Sequence, residues 1–453
     1  MNNIILNTDS YKVSMWKQYP AGTTDVYSYI ESRGGRYDQT VFFGLQAFIK
    51  EYLIDPISQA DIDAADELWT AHGEPFNRAG WQYILDVHNG YLPVVIKAVP
   101  EGSVVPTKNV LVTVKNTDPE CFWLTTWIET ALLRAVWYPT TVATQGWHIK
   151  QIIKHYLEVT GDPSTLNFKL HDFGARGVSS FESASLGGAA HLVNFMGTDT
   201  MSGILCARKY YGADMAGFSI PAAEHSTITS WGRDNEVEAY RNMLKQFAKP
   251  GSLVAVVSDS YDIYNAAEKL WGDALKQEVI DSGAMVIIRP DSGDPLEVTL
   301  KLVRILGDKF GYTTNDKGFK VLNNVRLIQG DGVNESAIRT ILGNFMVHGW
   351  SADNIAFGMG GALLQQLDRD TQKFAMKCSA IKVNGEWRDV QKDPITDPGK
   401  KSKAGLVTLF KKPDGEYVSG ITCEGAEVVP QPVYWDGRVG QELSFDEVRA
   451  NAL

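Results

Sequence analysis

Positive charge is in short supply in this chain. Its 43 Lys and Arg face 54 Asp and Glu, a formal net charge of -11. That excludes the broad cationic field of a general nucleic-acid binder. Any phosphate bound here must meet positive charge that is concentrated locally. Long apolar runs are missing as well, and none approaches the ~20 residues that span a bilayer. The opening Met-Asn-Asn-Ile-Ile-Leu-Asn-Thr-Asp has no basic stretch followed by a long apolar one, which is the pattern of a secretory leader. Cysteine is scarce. Four residues, Cys121, Cys206, Cys378 and Cys423, lie far apart without metal-ligand spacing. They read as reduced thiols, so the expected location is the cytoplasm. Internal repeats and low-complexity segments are absent. What is present is an ordinary globular balance, 44% hydrophobic and 21% charged over 453 residues, enough for two or three domains.

Three rhythms follow one another along the chain. Residues 1–165 mix helix and strand. Strands are expected at 92–99 and 109–114, and helices at 121–137 and 141–160, separated by Pro139 and closed by Gly161. From about Phe168, short continuous apolar runs alternate with helical stretches, at 168–170, 253–257, 285–288, 325–328 and 355–357. Such runs imply a parallel sheet covered on both faces. Their number points to a (β/α) barrel-like domain over 166–378. After about Phe374 the pattern turns antiparallel. Val383-Asn384-Gly385-Glu386 is a hairpin signal, and Pro413-Asp414-Gly415 marks a second turn. The tail is expected to fold back on the N-terminal segment, so that 1–165 plus 379–453 form one discontinuous α+β domain.

In a parallel α/β barrel the chemistry gathers where strands end. Here those positions carry Arg289, Asp291 and Asp294, then Gly330-Asp331-Gly332, then Gly358, Gly360 and Gly361. Glycines ahead of a helix let backbone N–H groups approach a phosphate. Carboxylates can accept from ribose hydroxyls or hold Mg²⁺ through water. Taken singly, each loop reads as a turn or a helix cap. Three in consecutive units read as a site for a phosphorylated sugar or nucleotide. No adjacent Asp-Asp pair occurs, and neither a Schiff-base lysine at a strand end nor a dinucleotide fingerprint stands out.

Specific strings narrow this reading. Thr8-Asp9-Ser10-Tyr11-Lys12, Lys169-Leu170-His171-Asp172-Phe173-Gly174, Gly197-Thr198-Asp199-Thr200, Pro221-Ala222-Ala223-Glu224-His225-Ser226-Thr227, Ser258-Asp259-Ser260-Tyr261-Asp262, Arg289-Pro290-Asp291-Ser292-Gly293 and Gln329-Gly330-Asp331-Gly332 resemble the nicotinamide phosphoribosyltransferase family, over nearly the whole chain. The resemblance implies a type II phosphoribosyltransferase fold and a homodimer with active sites at the subunit interface. It implies conversion of nicotinamide and phosphoribosyl diphosphate to nicotinamide mononucleotide and diphosphate. It also implies ATP as co-substrate, hydrolysed through a phosphohistidine, and Mg²⁺ held mainly by substrate phosphates rather than directly by the protein. No nucleic acid and no membrane are expected as partners.

By the same resemblance, Phe173 and the partner's Tyr11 sandwich the pyridine ring, and Asp199 accepts from the carboxamide. Asp9, Arg176 and Ser219 complete that pocket. A carboxylate at Asp199 would repel nicotinate, which argues against the acid as substrate. His225 is the residue phosphorylated, with Asp262 orienting its imidazole. Asp291, Asp331 and Arg289 contact ribose, Gly360 and Gly361 cradle its phosphate, and Gly330 belongs to the same ribose-phosphate set. Arg33, Arg369, Lys377, Lys392 and Lys400 take the diphosphate and ATP phosphates, while Lys401 and Lys403 read as a solvated loop. The chain departs from the family at a shortened loop after Arg33, at Ala175 and at Ala362. The rival readings are a nicotinate enzyme, a barrel enzyme for another sugar phosphate, and a non-catalytic binding protein.

Overall fold

The computed structural model describes residues 3–397 and 400–453. Two compact units divide the chain. One comprises Met1–Thr144, Cys206–Asp214 and Leu367–Leu453, and the other Gln145–Leu205 and Met215–Gln366. The boundaries expected near 165 and 378 thus fall at 144/145 and 366/367, and 206–214 joins the terminal unit. Among the described residues no helix is long and apolar enough to cross a membrane.

The second unit is a parallel α/β sheet. Its strands are β1 (Leu170–Asp172), β2 (Gly197–Thr198), β3 (Leu253–Val257), β4 (Met285–Arg289), β5 (Val325–Gln329) and β6 (Ile355–Met359), in the order β2-β1-β6-β5-β4-β3. All of these pairings are parallel. Runs such as Leu-Val-Ala-Val-Val in β3 are apolar on both faces because helices, among them Glu236–Phe247 and Pro295–Phe310, cover the sheet.

The gap between edge strands β2 and β3 is bridged by an extended segment. Phe218 pairs with Gly197 at one end, and Ala222 pairs with Ala255 at the other. Pro221, which has no N–H to give, keeps this stretch from becoming a regular strand, although its carbonyl still accepts from Ala255 N at 2.9 Å. The barrel-like closure therefore runs through the segment that carries Ser219 and leads to His225.

The first unit is built on a seven-stranded sheet. Thr23–Ser32 lies antiparallel between Phe374–Val383 and Val110–Asn116, and Val94–Ala98 lies between Val110–Asn116 and Gln431–Trp435. The C-terminal tail thus does return to the N-terminal strands. The hairpin at Asn384-Gly385 forms with positive φ at both residues, 52° and 86°, as its two-residue turn demands. The second turn joins Thr408–Lys411 to Tyr417–Gly420.

One expectation fails here. Pro139 does not separate two helices but sits inside a single helix, Glu129–Thr160, preceded by the short Leu124–Trp127. Its ring packs on Gly44, where any side chain would overlap it. The next residue, Thr140, exchanges hydrogen bonds with Phe43, accepting from N and donating to O, both at 3.2 Å. Tertiary packing outweighs the ~3 kcal/mol cost of an interior proline.

Candidate functional site

The C-terminal ends of the six strands bring most of the expected residues onto one rim of the second unit. Phe173 follows β1, and its N–H donates to Met359 O of β6 at 3.0 Å. Its ring lies on the backbone of Gly358, where a Cβ would overlap it. That close approach is why β6 carries a glycine at its penultimate position. A Cβ at Gly330 would stand 3.2 Å from Asp291 Oδ1, 3.5 Å from Phe173 Cε2 and 3.7 Å from Arg289 Cδ. One aromatic, one carboxylate and one guanidinium therefore converge on the bare backbone after β5. Arg289 Nε lies 3.8 Å from Asp291 Oδ1, too far for a hydrogen bond. Among the described residues it is a buried donor without an acceptor.

Gly361 approaches the Arg176 loop, since a Cβ on Gly177 would stand 3.5 Å from its Cα and N. A Cβ on Gly361 itself would meet nothing within 4 Å. The backbone at 360–361 opens the short helix Gly361–Leu364 and has open space beside Gly361.

Asp199 follows β2, and its N–H donates to Asp172 O at 3.0 Å. Its Oδ1 accepts from Ser219 Oγ at 2.6 Å, so the barrel-closing segment orients this carboxylate. Behind it Asp172 is fully buried. Burial pushes its carboxyl up to about 6, opposed by the hydrogen bond that Oδ1 accepts from Gly174 N at 2.7 Å, while Oδ2 has no partner among the described residues. The sign follows directly. The fold prefers this acid protonated, so its contribution to stability falls as pH rises from the unfolded value of 3.8 past about 6. Asp172→Asn should remove that loss. Urea midpoints are expected to show the variant gaining on wild type by roughly 3 kcal/mol between pH 4 and pH 7, and a pH-independent difference would contradict the assignment.

His225 begins a short helix after the closing segment, and its carboxylate partner differs from the one expected. His225 Nε2 lies 2.9 Å from Asp259 Oδ1. Asp262 instead caps the next helix, accepting from Tyr264 N and Asn265 N, each at 3.0 Å. The correction has a simple cause. Asp262 stands immediately before a helix and serves its unpaired N–H groups, whereas Asp259, two residues past β3, is turned to the rim. The Asp259 side chain is 4% exposed and that of His225 is 45% exposed. With Nε2–H directed at the carboxylate, Nδ1 keeps the free lone pair. Asp331 is exposed on the same rim and Asp294 caps Pro295–Phe310.

The remaining candidates lie on the first unit. Asp9 Oδ2 accepts from Thr130 Oγ1 at 2.7 Å, and Tyr11 is 62% exposed. Lys377 is held below the usual lysine range by burial, opposed by the nearby Glu129 carboxylate and reinforced by repulsion from Arg33, Lys392 and Lys12. These cations are therefore neighbours, and Arg33 leaves one buried guanidinium nitrogen, Nη2, without a hydrogen-bond partner among the described residues. Two of the four cations are paired, Lys12 with Glu129 at 2.5 Å and Arg33 with Glu31 at 3.5 Å. Arg369 and Lys400 are exposed and pair with Asp370 at 3.5 Å and Asp397 at 3.2 Å. Lys403 is not a solvated loop residue, because it pairs with Glu31, which is 4% exposed. Lys401 is exposed and pairs with Asp393 at 3.0 Å.

One grouping was invisible in the spacing of cysteines. His88, Asp118 and Cys121 place one ligand atom each within 4.8 Å of one another. Asp118, however, already accepts from Glu120 N, Tyr83 Oη and His88 Nε2, and burial pushes the Cys121 thiol up to about 12. Internal hydrogen bonding accounts for this cluster.

Comparison with known proteins places the whole chain in a family. Residues 168–425 match the nicotinate phosphoribosyltransferase (NAPRTase) family, and residues 3–96 match the N-terminal domain of nicotinamide phosphoribosyltransferase. A nicotinamide phosphoribosyltransferase of Xanthomonas campestris pv. campestris is 57% identical, over 100% of this chain and 98% of its own length. One from Acinetobacter baylyi is 34% identical, over 97% of this chain and 95% of its own. The solved structure of a nicotinate-nucleotide pyrophosphorylase from Pyrococcus furiosus, 16% identical, shares the fold with a TM-score of 0.64 over 99% of this chain and 94% of its own.

Proposed function

The chain belongs to the nicotinamide phosphoribosyltransferase family, and from that premise we propose that it transfers the phosphoribosyl group of phosphoribosyl diphosphate to the ring nitrogen of nicotinamide, for NAD salvage. The bond from C1′ to the diphosphate oxygen breaks and the electron pair leaves with diphosphate. The pyridine nitrogen lone pair forms the new bond to C1′. The nucleophile is neutral and carries no proton to remove, so positioning and electrostatics do the work. The observation that carries this reading is the convergence of Phe173, Asp291 and Arg289 on the bare backbone at Gly330. A flat ring fits against Phe173, and ribose hydroxyls fit beside the Asp291 carboxylate and the Arg289 Nε that lacks an acceptor. Asp331 would share the ribose, and Gly360 and Gly361 would receive its 5′-phosphate.

Asp199, oriented by Ser219, accepts a hydrogen bond from the carboxamide N–H₂, and Arg176 is assigned to the same end of the ring. The same carboxylate would repel nicotinate. Asp199→Asn is expected to cost nicotinamide roughly 10- to 100-fold in kcat/KM while improving use of nicotinate. A variant whose ratio of the two substrates is unchanged would remove Asp199 from the specificity argument.

Arg33, Lys377 and Lys392, with Arg369 and Lys400 at the exposed edge, are the proposed receivers of diphosphate and ATP phosphates. Asp262 and Asp294 are engaged as helix caps, and among the described residues no cluster of carboxylates with metal-ligand geometry stands at the strand ends. That arrangement fits a Mg²⁺ whose ligands are mainly substrate phosphate and water. Such an ion offsets charge on the leaving diphosphate. ATP enters through His225. Its Nδ1 attacks the γ-phosphorus, ADP leaves, and water later splits the phosphohistidine to return histidine and orthophosphate, with Asp259 holding Nε2–H throughout. A homodimer with shared sites is favoured by exposed Tyr11, Phe181 and Met201, large apolar surfaces of the kind that mark an interface. The partner's Tyr11 would form the second face of the pyridine pocket, and the partner's Asp9 would support it. Four free cysteines fit a cytoplasmic enzyme.

A further inference from the structure

Strands β3 and β4 are neighbours, and the two loops that leave them are laced together twice. Ser258 N donates to Arg289 O at 3.0 Å. Beyond that, Ser292 Oγ donates to Asp259 Oδ2 at 2.5 Å. The two oxygens of Asp259 thus have different clients, since Oδ1 faces His225 and Oδ2 takes the hydroxyl of Ser292. Ser292 is the residue after Asp291, in the loop that carries the ribose-binding pair.

The root of Asp259 is rigid. The Ser258 hydroxyl donates to Val256 O and accepts from Trp271 Nε1, both at 3.0 Å. Trp271 stacks on Tyr240 with ring centroids 4.7 Å apart, and the Tyr240 hydroxyl donates to buried Glu236 at 2.7 Å. A backbone fixed from behind leaves the rotation of the carboxylate as the adjustable coordinate. Ser292 and His225 hold its two ends.

We propose that Ser292 is a positioning residue that couples the donor-binding loop to His225 through Asp259. When the 289–294 loop grips the ribose of phosphoribosyl diphosphate, the Ser292 hydroxyl fixes the plane of the Asp259 carboxylate. That plane aims Nε2–H at Oδ1 and Nδ1 outward. Phosphorylation of the histidine is thereby tied to occupancy of the donor site. The hydroxyl gains no proton and loses none, and its role is geometric. The inference rests on the phosphohistidine reading given above.

The test uses the full chain as wild type, Ser292→Ala and Ser292→Thr. ADP and nicotinamide mononucleotide are quantified together, with ATP and Mg²⁺ present and with phosphoribosyl diphosphate included or withheld. Loss of one hydrogen bond to a charged group is expected to raise ADP released per mononucleotide about tenfold in Ser292→Ala. Ser292→Thr, which keeps the hydroxyl, should restore the wild-type ratio. An unchanged ratio in Ser292→Ala overturns the proposal, and so does equal uncoupling in both variants. Wild-type protein that neither hydrolyses ATP nor responds to it would overturn the phosphohistidine reading itself, an outcome visible before any variant is made.

Discussion

Asp291→Ala is expected to lower kcat/KM for phosphoribosyl diphosphate by roughly 10²- to 10⁴-fold, the loss of two charge-assisted hydrogen bonds to ribose hydroxyls at ~1.5–3 kcal/mol each. The carboxylate sits where Gly330 offers no side chain and where Arg289 Nε has no acceptor of its own. Removing it leaves that guanidinium facing a ribose on which positive charge develops as the C1′–oxygen bond breaks. The loss should therefore appear more in kcat than in KM. Folding should be little affected, because the side chain is 29% exposed and Arg289 stands 3.8 Å away rather than in a tight pair. Steady-state kinetics with a matched urea titration check both halves. A loss under tenfold would move the ribose away from Asp291.

His225→Ala should abolish the response to ATP altogether. Product formed with ATP present is expected to fall to the ATP-free level, and ADP release to the background of a protein-free control. Asp259→Asn should do most of the same damage, because an amide at that position can present its N–H₂ to Nε2 and leave the imidazole in the wrong tautomer. Asp262→Asn should spare ATP coupling and cost only a fraction of a helix cap, since Asp262 serves Tyr264 and Asn265. Measuring ADP by coupled assay in the three variants separates the carboxylates. Coupling that survived in Asp259→Asn but failed in Asp262→Asn would reverse their roles.

The contrast between those two aspartates shows where sequence stops. Both stand in Ser258-Asp259-Ser260-Tyr261-Asp262, three residues apart, and nothing in the string says which one turns to the rim. The helix beginning at Ile263 was the available signal, since it gave Asp262 a local employer. Parallel strands such as Leu253–Val257 were legible because being covered on both faces leaves a continuous apolar run, and Asn384-Gly385 because a two-residue turn selects for positive φ. Pro139 misled because its local cost is real but is overridden by packing on Gly44 and by Thr140. The barrel-closing segment was hidden by Pro221, which spoils strand periodicity without preventing pairing at the segment's ends. Ser292 and Gly358 matter through contacts made across strands, which spacing along the chain does not encode. The pairing of Lys403 with Glu31 was hidden for the same reason.

The most direct test of the central claim is mononucleotide formation from phosphoribosyl diphosphate with nicotinamide or with nicotinate, each with and without ATP and Mg²⁺. The account predicts product from nicotinamide, a higher rate with ATP, and little or none from nicotinate. Preference for nicotinate would contradict the pocket built on Asp199 and Ser219, and no product from either would contradict the transferase reading of the whole rim.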